Sequence, residues 1–151
     1  MASWSHFATG EPDLAALAER VMRRYGIAYL ATVRAGGAPR LHPICPVVVA
    51  GKLCAGLIPN TPKQRDLDRD ERFALHTLPG PGDAEFAIAG RARKLTPDEI
   101  LELSADAGDR VEISLDTAFY ELCPERIDCT VYDAGQGHLP TPARTKWTAP
   151  A

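Results

Sequence analysis

The segment at positions 61–67 carries the residue types that bind an anion at the start of a helix. Thr61 suits the N-cap, and Gln64 can complete a capping box with it. Lys63 and Arg65 would then lie in the first turn, where the positive end of the helix dipole disfavours cations. A bound phosphate would make the positions of these two cations favourable, because the backbone amides, the helix dipole and the cations all attract an anion. The segment predicts a phosphate site; the alternative is a marginal helix with solvated surface charges.

The C-terminal part of this predicted helix, which covers 60–70, carries negative charges at positions that disfavour them. Asp66, Asp68 and Asp70 fall where the helix dipole disfavours anions. Each misplaced exposed charge costs about 0.3–1 kcal/mol. Local rules that are broken consistently are typical of functional sites, which strengthens the first interpretation.

A second candidate stretch is the strand around His42. Three prolines between positions 39 and 46 cannot all spare a ladder hydrogen bond, so we expect this strand to be bulged or kinked. With a period of two, Arg40, His42 and Ile44 share one face. A cation and an imidazole on this otherwise apolar face indicate a polar ligand; a satisfied histidine beside a surface arginine is the alternative.

Short strands and three inserted helices make up the rest of the chain. Turn residues and hydrophobic periodicity predict helices at 11–25, 60–70 and 96–107, the last opened by a Thr96–Glu99 capping box. The predicted strands cover 27–34, 39–49, 53–58, 72–78, 84–95, 111–122 and 126–132, with a hard turn at Pro79–Gly82 and a Gly- and Pro-rich tail from 133 to 151. Six or seven hairpin-linked antiparallel strands favour a small barrel, which closes its edges.

Composition indicates one globular domain over 1–151 and excludes several classes of function. The 151 residues include 45% hydrophobic and 25% charged ones, near the globular average. The net charge of −3 provides no basic field for nucleic acid. The longest apolar run, about seven residues, is far short of the about 20 that span a membrane. With no signal peptide at the start, we expect a cytoplasmic protein.

Motifs for other chemistries are absent from the sequence. The sequence contains no complete dinucleotide-binding, P-loop, nucleophile-elbow or zinc-protease motif. The four histidines lack the spacing of metal ligands. The four cysteines have no C-x-x-C pair. We therefore expect no metal centre, and reduced cysteines that are buried as small hydrophobes.

Taken in order, the segments resemble the pyridoxamine 5′-phosphate oxidase-like family, the flavin-binding split β-barrels. The resemblance extends from about Ala16 to Leu95. It rests on Tyr29–Val33, Pro39–Arg40, His42–Pro43, Lys63–Leu67 with Arg72–Leu75 after it, and Phe86–Ala92.

This resemblance implies a mainly β, six-stranded split barrel with inserted helices, a homodimer, and FMN at the subunit interface. It implies that Lys63 and Thr61 hold the phosphate with Arg65 close by, and that the isoalloxazine ring lies along 40–44 and 56–58. The implied cofactor-binding residues are Arg40, His42, Pro43, Ile44, Leu57, Ile58, Thr61, Lys63, Gln64 and Arg65.

The chain departs from the vitamin oxidases of that family at three positions. Pro62 and His42 stand where they place arginines, and Glu85 stands where they place a glutamine. Near the C-terminus, Arg144–Trp147 is a loose echo of their substrate motif. Trp147 is expected either to cap the partner's pocket or to pack on its own barrel. These departures favour the broader set of flavin or deazaflavin reductases, in a family that also has haem-binding members, over pyridoxamine phosphate oxidation.

The function that the resemblance implies is therefore a flavin-dependent oxidoreductase acting on a small organic substrate. One alternative is a deazaflavin-dependent reductase, for which Arg65, Arg69 and Arg72 would line a basic groove. Another is a protein that binds flavin or haem without catalysis.

Overall fold

The structure, a computed structural model, describes residues 1–78, 84–108, 113, 116–132 and 142–150. Within these ranges the elements are α1 (Trp4–Gly10), α2 (Pro12–Tyr25), β1 (Ala28–Val33), β2 (Pro39–Ile44), β3 (Pro46–Val49), β4 (Lys52–Leu57), α3 (Pro62–Arg69), β5 (Arg72–Thr77), β6 (Ala84–Lys94), α4 (Pro97–Ala107), β7 (Ala118–Tyr132) and β8 (Pro142–Thr148). The predicted turn at Pro79–Gly82 and most of the predicted strand segment 111–117 lie outside the described residues. None of the described helices is long and apolar enough to cross a membrane.

The strands form one antiparallel sheet that curls until its edges meet. The order is β2-β1-β5-β6-β7-β4-β3, with β8 paired to β7. Strands β2 and β3 end this order on opposite sides, yet only Cys45 separates them in the chain. Two residue steps span at most about 7 Å, so the end of β2 lies close to the start of β3. The sheet is thus a split barrel, and the kink predicted within 39–49 is confirmed as a break at Cys45.

The long strand β7 divides the barrel into two parts. Residues 118–121 pair with β4, and residues 126–132 pair with β8, while β6 runs along the other side. Pro124 lies between these two partners, and Glu125 forms a bulge opposite the Ala89–Gly90 step. The prediction of separate strands at 111–122 and 126–132 is wrong, because the bulge accommodates the proline without ending the strand.

The core lies inside the barrel and beneath the two N-terminal helices. On β6, Phe86 and Ile88 are buried while Glu85 and Arg91 are partly exposed, as the period of two predicts. Helix α1 was not predicted from the sequence. Its Trp4 and Phe7 are nevertheless fully buried.

The C-terminal strand β8 contributes to the same core. Trp147 lies edge-on to Phe7 with ring centroids 5.1 Å apart, so it packs on its own barrel. A second, smaller cluster holds α4 against the sheet, formed by Val49, Cys54, Leu95, Ile100, Leu103, Ala107 and Phe119.

Local signals at helix ends largely predict the observed geometry. Gly26 ends α2 with a left-handed φ of 66°, and Thr96 and Glu99 form the predicted capping box. The expectation that all four cysteines are buried is wrong for Cys45, which is exposed at the crossing between the two sheet edges, whereas the other three are buried and free.

Candidate functional site

Helix α3 and its C-cap carry six charged residues, and the fold supplies partners for five of them. Arg65 donates to the Asn60 carbonyl oxygen at 2.9 Å, and Asp70 lies 2.6 Å from Arg72. The other residues with partners are Asp66, Asp68 and Arg69. Lys63 makes no hydrogen bond or ion pair with the described part of the chain. The misplaced charges are thus structural, except for the cation at the helix start.

Asp66 is the buried centre of this arrangement. Its side chain accepts hydrogen bonds from Arg40 Nε at 2.6 Å, Thr32 Oγ1 at 3.0 Å and Arg69 at 3.1 Å. Burial raises the pKa of Asp66, but the hydrogen bonds from Arg40, Arg69 and Thr32 outweigh it and hold the pKa below its usual value. Since Arg40 lies on β2, the Arg40–Asp66 pair ties the edge strand to the helix.

The start of α3 leaves its backbone amides without a side-chain cap. Thr61 is the N-cap residue, but its hydroxyl donates to the Ile58 carbonyl oxygen at 2.8 Å. The Gln64 side chain accepts from the Asn60 amide at 2.6 Å. Asn60 has a left-handed φ of 63°, which turns its amide toward Gln64. The capping box predicted for Thr61 and Gln64 is therefore wrong, and the first-turn amides are left in the arrangement that accepts anions.

His42 brings an unsatisfied polar atom to the same region. Arg40, His42 and Ile44 are less exposed than the residues between them, which confirms the shared face. The Nε2 atom of His42 is buried and has no hydrogen-bond partner among the described residues. Burial lowers the pKa of His42, and the positive charges of Lys63 and Arg40 lower it further. The fold thus places the strand face next to the start of α3.

The remaining predicted residues divide between core and surface. The side chains of Ile44 and Leu57 pack in the main core, whereas Pro43 is exposed and Ile58 is 71% exposed. Gln64 and Arg65 lie at the site, but both are engaged with the Asn60 backbone. The structural role of Asp66 was not predicted; the only signal for it was its misplaced negative charge.

Comparison with known proteins supports the fold. No family model matches the chain, and no curated protein matches it. Among solved structures, a heme binding protein from Mycobacterium smegmatis superposes with a TM-score of 0.62 at 18% identity, over 87% of this chain and 57% of that one. A putative pyridoxamine 5′-phosphate oxidase from Listeria innocua gives 0.60 at 20% identity, over 76% and 96%.

A third similar structure is PhzG from Burkholderia lata, solved with tetrahydrophenazine-1-carboxylic acid. Its TM-score is 0.61 at 14% identity, over 95% of this chain and 92% of that one. Because these proteins differ in ligand and share so little sequence, the likeness concerns architecture only. On these grounds the chain has the split β-barrel fold found in pyridoxamine 5′-phosphate oxidase-like proteins.

Proposed function

We propose that this protein is an FMN-dependent oxidoreductase that holds its cofactor at a homodimer interface and acts on a small organic substrate. The observation that carries the proposal is Lys63, an ammonium group without a partner in the described chain, at a helix start whose amides are uncapped. This combination of an unpaired positive charge and free N–H donors suits a phosphate.

The residues around this position fit the rest of the cofactor. His42 Nε2 is a buried polar atom that lacks a hydrogen-bond partner among the described residues. A heteroatom of the isoalloxazine ring would supply that partner. Arg40, held by Asp66, would present its remaining N–H groups in a fixed direction. When bound, FMN supplies hydride-transfer chemistry, so the protein has to bind, orient and shield the ring.

The contacts of three arginines favour FMN over a deazaflavin coenzyme with a longer anionic tail. Arg65 donates to the Asn60 carbonyl oxygen, Arg69 is paired with Asp66, and Arg72 is paired with Asp70. The basic groove that the deazaflavin alternative needs would require these guanidinium groups to be free.

Lys63→Ala is expected to weaken FMN binding about tenfold to a hundredfold, the equivalent of about 1.5–3 kcal/mol for a hydrogen bond to a charged group. Fluorescence titration of the apoprotein with FMN measures the dissociation constant. Because Lys63 has no partner in the described chain, its removal should leave the thermal midpoint unchanged.

Lys52→Ala is the matched control, since Lys52 lies on the β3–β4 hairpin and carries the same charge. We expect it to bind FMN like the wild type. An equal loss of affinity in both variants would mean that only overall charge matters, and an unchanged constant for Lys63→Ala would refute the phosphate assignment.

The outer face of the sheet supports the homodimer part of the proposal. Tyr29 and Leu41 are 41% and 66% exposed there. They border a groove of about 270 Å³. The small side chains that line this groove with them are Ala31, Ala74, Ala87 and Ala89. Leu41 lies between Arg40 and His42 on β2 but on the opposite face of the strand, so a second copy packed on this face would cover the strand that carries both site residues.

Ala74→Arg tests this face, because Ala74 is exposed on β5 and a monomer would tolerate the change. We expect the variant to sediment as a monomer while the wild type sediments as a dimer. The control is Ala143→Arg on β8, at another exposed alanine, which should remain dimeric. A monomeric wild type contradicts the proposed interface.

The absorption spectrum of the freshly purified protein separates the cofactor classes. We expect the two-band spectrum of oxidised flavin, bleached when a nicotinamide reductant transfers hydride to the flavin. A haem Soret band would instead favour haem binding, as in the heme binding protein from Mycobacterium smegmatis. A flavin spectrum that a nicotinamide reductant does not bleach would indicate a carrier.

A further inference from the structure

The buried Nε2 atom of His42 needs an explanation that the free chain does not provide. It is the one buried side-chain nitrogen or oxygen without a hydrogen-bond partner within the described residues. Leaving such a group unpaired costs about 1–3 kcal/mol, so native structures rarely do so. On β1 the residue opposite His42 is Leu30, which has no polar side-chain atom to offer.

The charges that act on His42 come from two elements. Arg40 lies on the same strand face, and Lys63 and Asp66 project from α3. Arg40 and Arg69 both pair with Asp66, so these three residues carry a net positive charge, and Lys63 adds a second positive charge that has no partner among the described residues. Burial, then Lys63 and Arg40, lower the pKa of His42, so the imidazole is neutral near pH 7 in the free protein.

An anion bound at Lys63 would offset the positive charges of Lys63 and Arg40 at His42. It would cancel the charge that disfavours imidazolium, and its ring or phosphate would offer the acceptor that Nε2 lacks. Resting on the proposed function, we infer that His42 is a ligand contact that takes up a proton when FMN binds beside Lys63. FMN binding then strengthens as the pH falls through the range in which the bound protein, but not the free protein, is protonated.

Isothermal titration calorimetry in two buffers of different ionisation enthalpy counts the protons taken up on FMN binding. At about pH 6, we expect the wild type to take up more protons per FMN bound than His42→Asn does. The FMN phosphate, with a second pKa of about 6, contributes equally to both and cancels in the difference. His6→Asn is the control, because His6 is exposed on α1, and it should match the wild type.

Ring-proton NMR of the unmodified chain provides a second measurement that needs no variant. The pKa of His42 should rise when FMN is added. Equal proton counts in the wild type and His42→Asn, or a His42 pKa that FMN does not change, would overturn the inference. The proposed function would still stand in that case if FMN binds to the wild type. Failure of FMN to bind the wild type at any pH overturns both.

Discussion

Gly90→Ala should lower the free energy of unfolding by about 3 kcal/mol or more, beyond the typical cost of overpacking a core. A β-carbon at Gly90 would lie 2.0 Å from the carbonyl oxygen of Cys123 and 2.9 Å from the amide nitrogen of Glu125. Both are backbone atoms of the β7 bulge, so no side chain can rotate to make room. The bulge would have to open, and with it the pairing of β6 with β7. Urea denaturation followed by far-UV circular dichroism measures the loss.

Gly36→Ala is the matched control for this substitution. Gly36 lies in the β1–β2 turn, and a β-carbon there would meet no atom within 4 Å. Its φ is not in the left-handed region, so we expect a change within about 0.5 kcal/mol. A Gly90→Ala protein that unfolds at the same urea concentration as the wild type would show that the β6 and β7 backbones are not in close contact at Gly90.

Asp66→Ala is expected to cost about 3 kcal/mol, the lower end of the range for removing one partner of a buried ion pair, because Arg40 and Arg69 are partly exposed to solvent. Asp66 is 3% exposed and accepts hydrogen bonds from Thr32, Arg40 and Arg69. Its removal would leave two guanidinium groups without a counter-charge and would release β2 from α3. Thermal and urea unfolding both measure the change.

The stability that Asp66 contributes should depend on pH with a defined sign. The pKa of Asp66 in the folded protein is held below the ordinary value of 3.8. The contribution is therefore complete above that ordinary value and is lost as the pH falls through the lower, folded-state pKa. The difference in unfolding free energy between the wild type and Asp66→Ala should shrink below about pH 4.

Asp70→Ala is a useful comparison, because Asp70 pairs with Arg72 near the surface of the same helix. Solvent screens that pair, so we expect a much smaller effect. Equal destabilisation by the two substitutions would contradict the distinction between the buried carboxylate of Asp66 and the half-buried carboxylate of Asp70, whose partner Arg72 is exposed.

Sequence reasoning succeeded where the determining forces are local or periodic. The Thr96–Glu99 capping box, the Gly26 helix end and the alternation of β6 all follow from nearest neighbours along the chain. The same capping logic failed at Thr61, because the left-handed backbone of Asn60 offers Gln64 a different amide. The sequence pattern does not encode the backbone conformation of Asn60, so it could not show that Gln64 binds the Asn60 amide instead of the Thr61 amide.

The parts that could not be predicted depend on contacts between distant segments. Helix α1 is short and is anchored by the packing of its Phe7 on Trp147, at the other end of the chain. The contacts of Asp66 with Thr32 and Arg40 likewise join segments far apart in sequence. The positions of Lys63 and His42 on the candidate site were predicted, whereas the buried carboxylate that braces the site was not.

The prolines of β2 and β3 also bear on the protein's resistance to aggregation. Strands at the margin of a sheet can recruit strands from other molecules through their unused N–H groups. Pro39 and Pro43 on β2 and Pro46 on β3 have no N–H to offer, and the crossing at Cys45 keeps the two margins together. The irregular composition of this stretch should therefore disfavour intermolecular strand addition at the seam of the barrel.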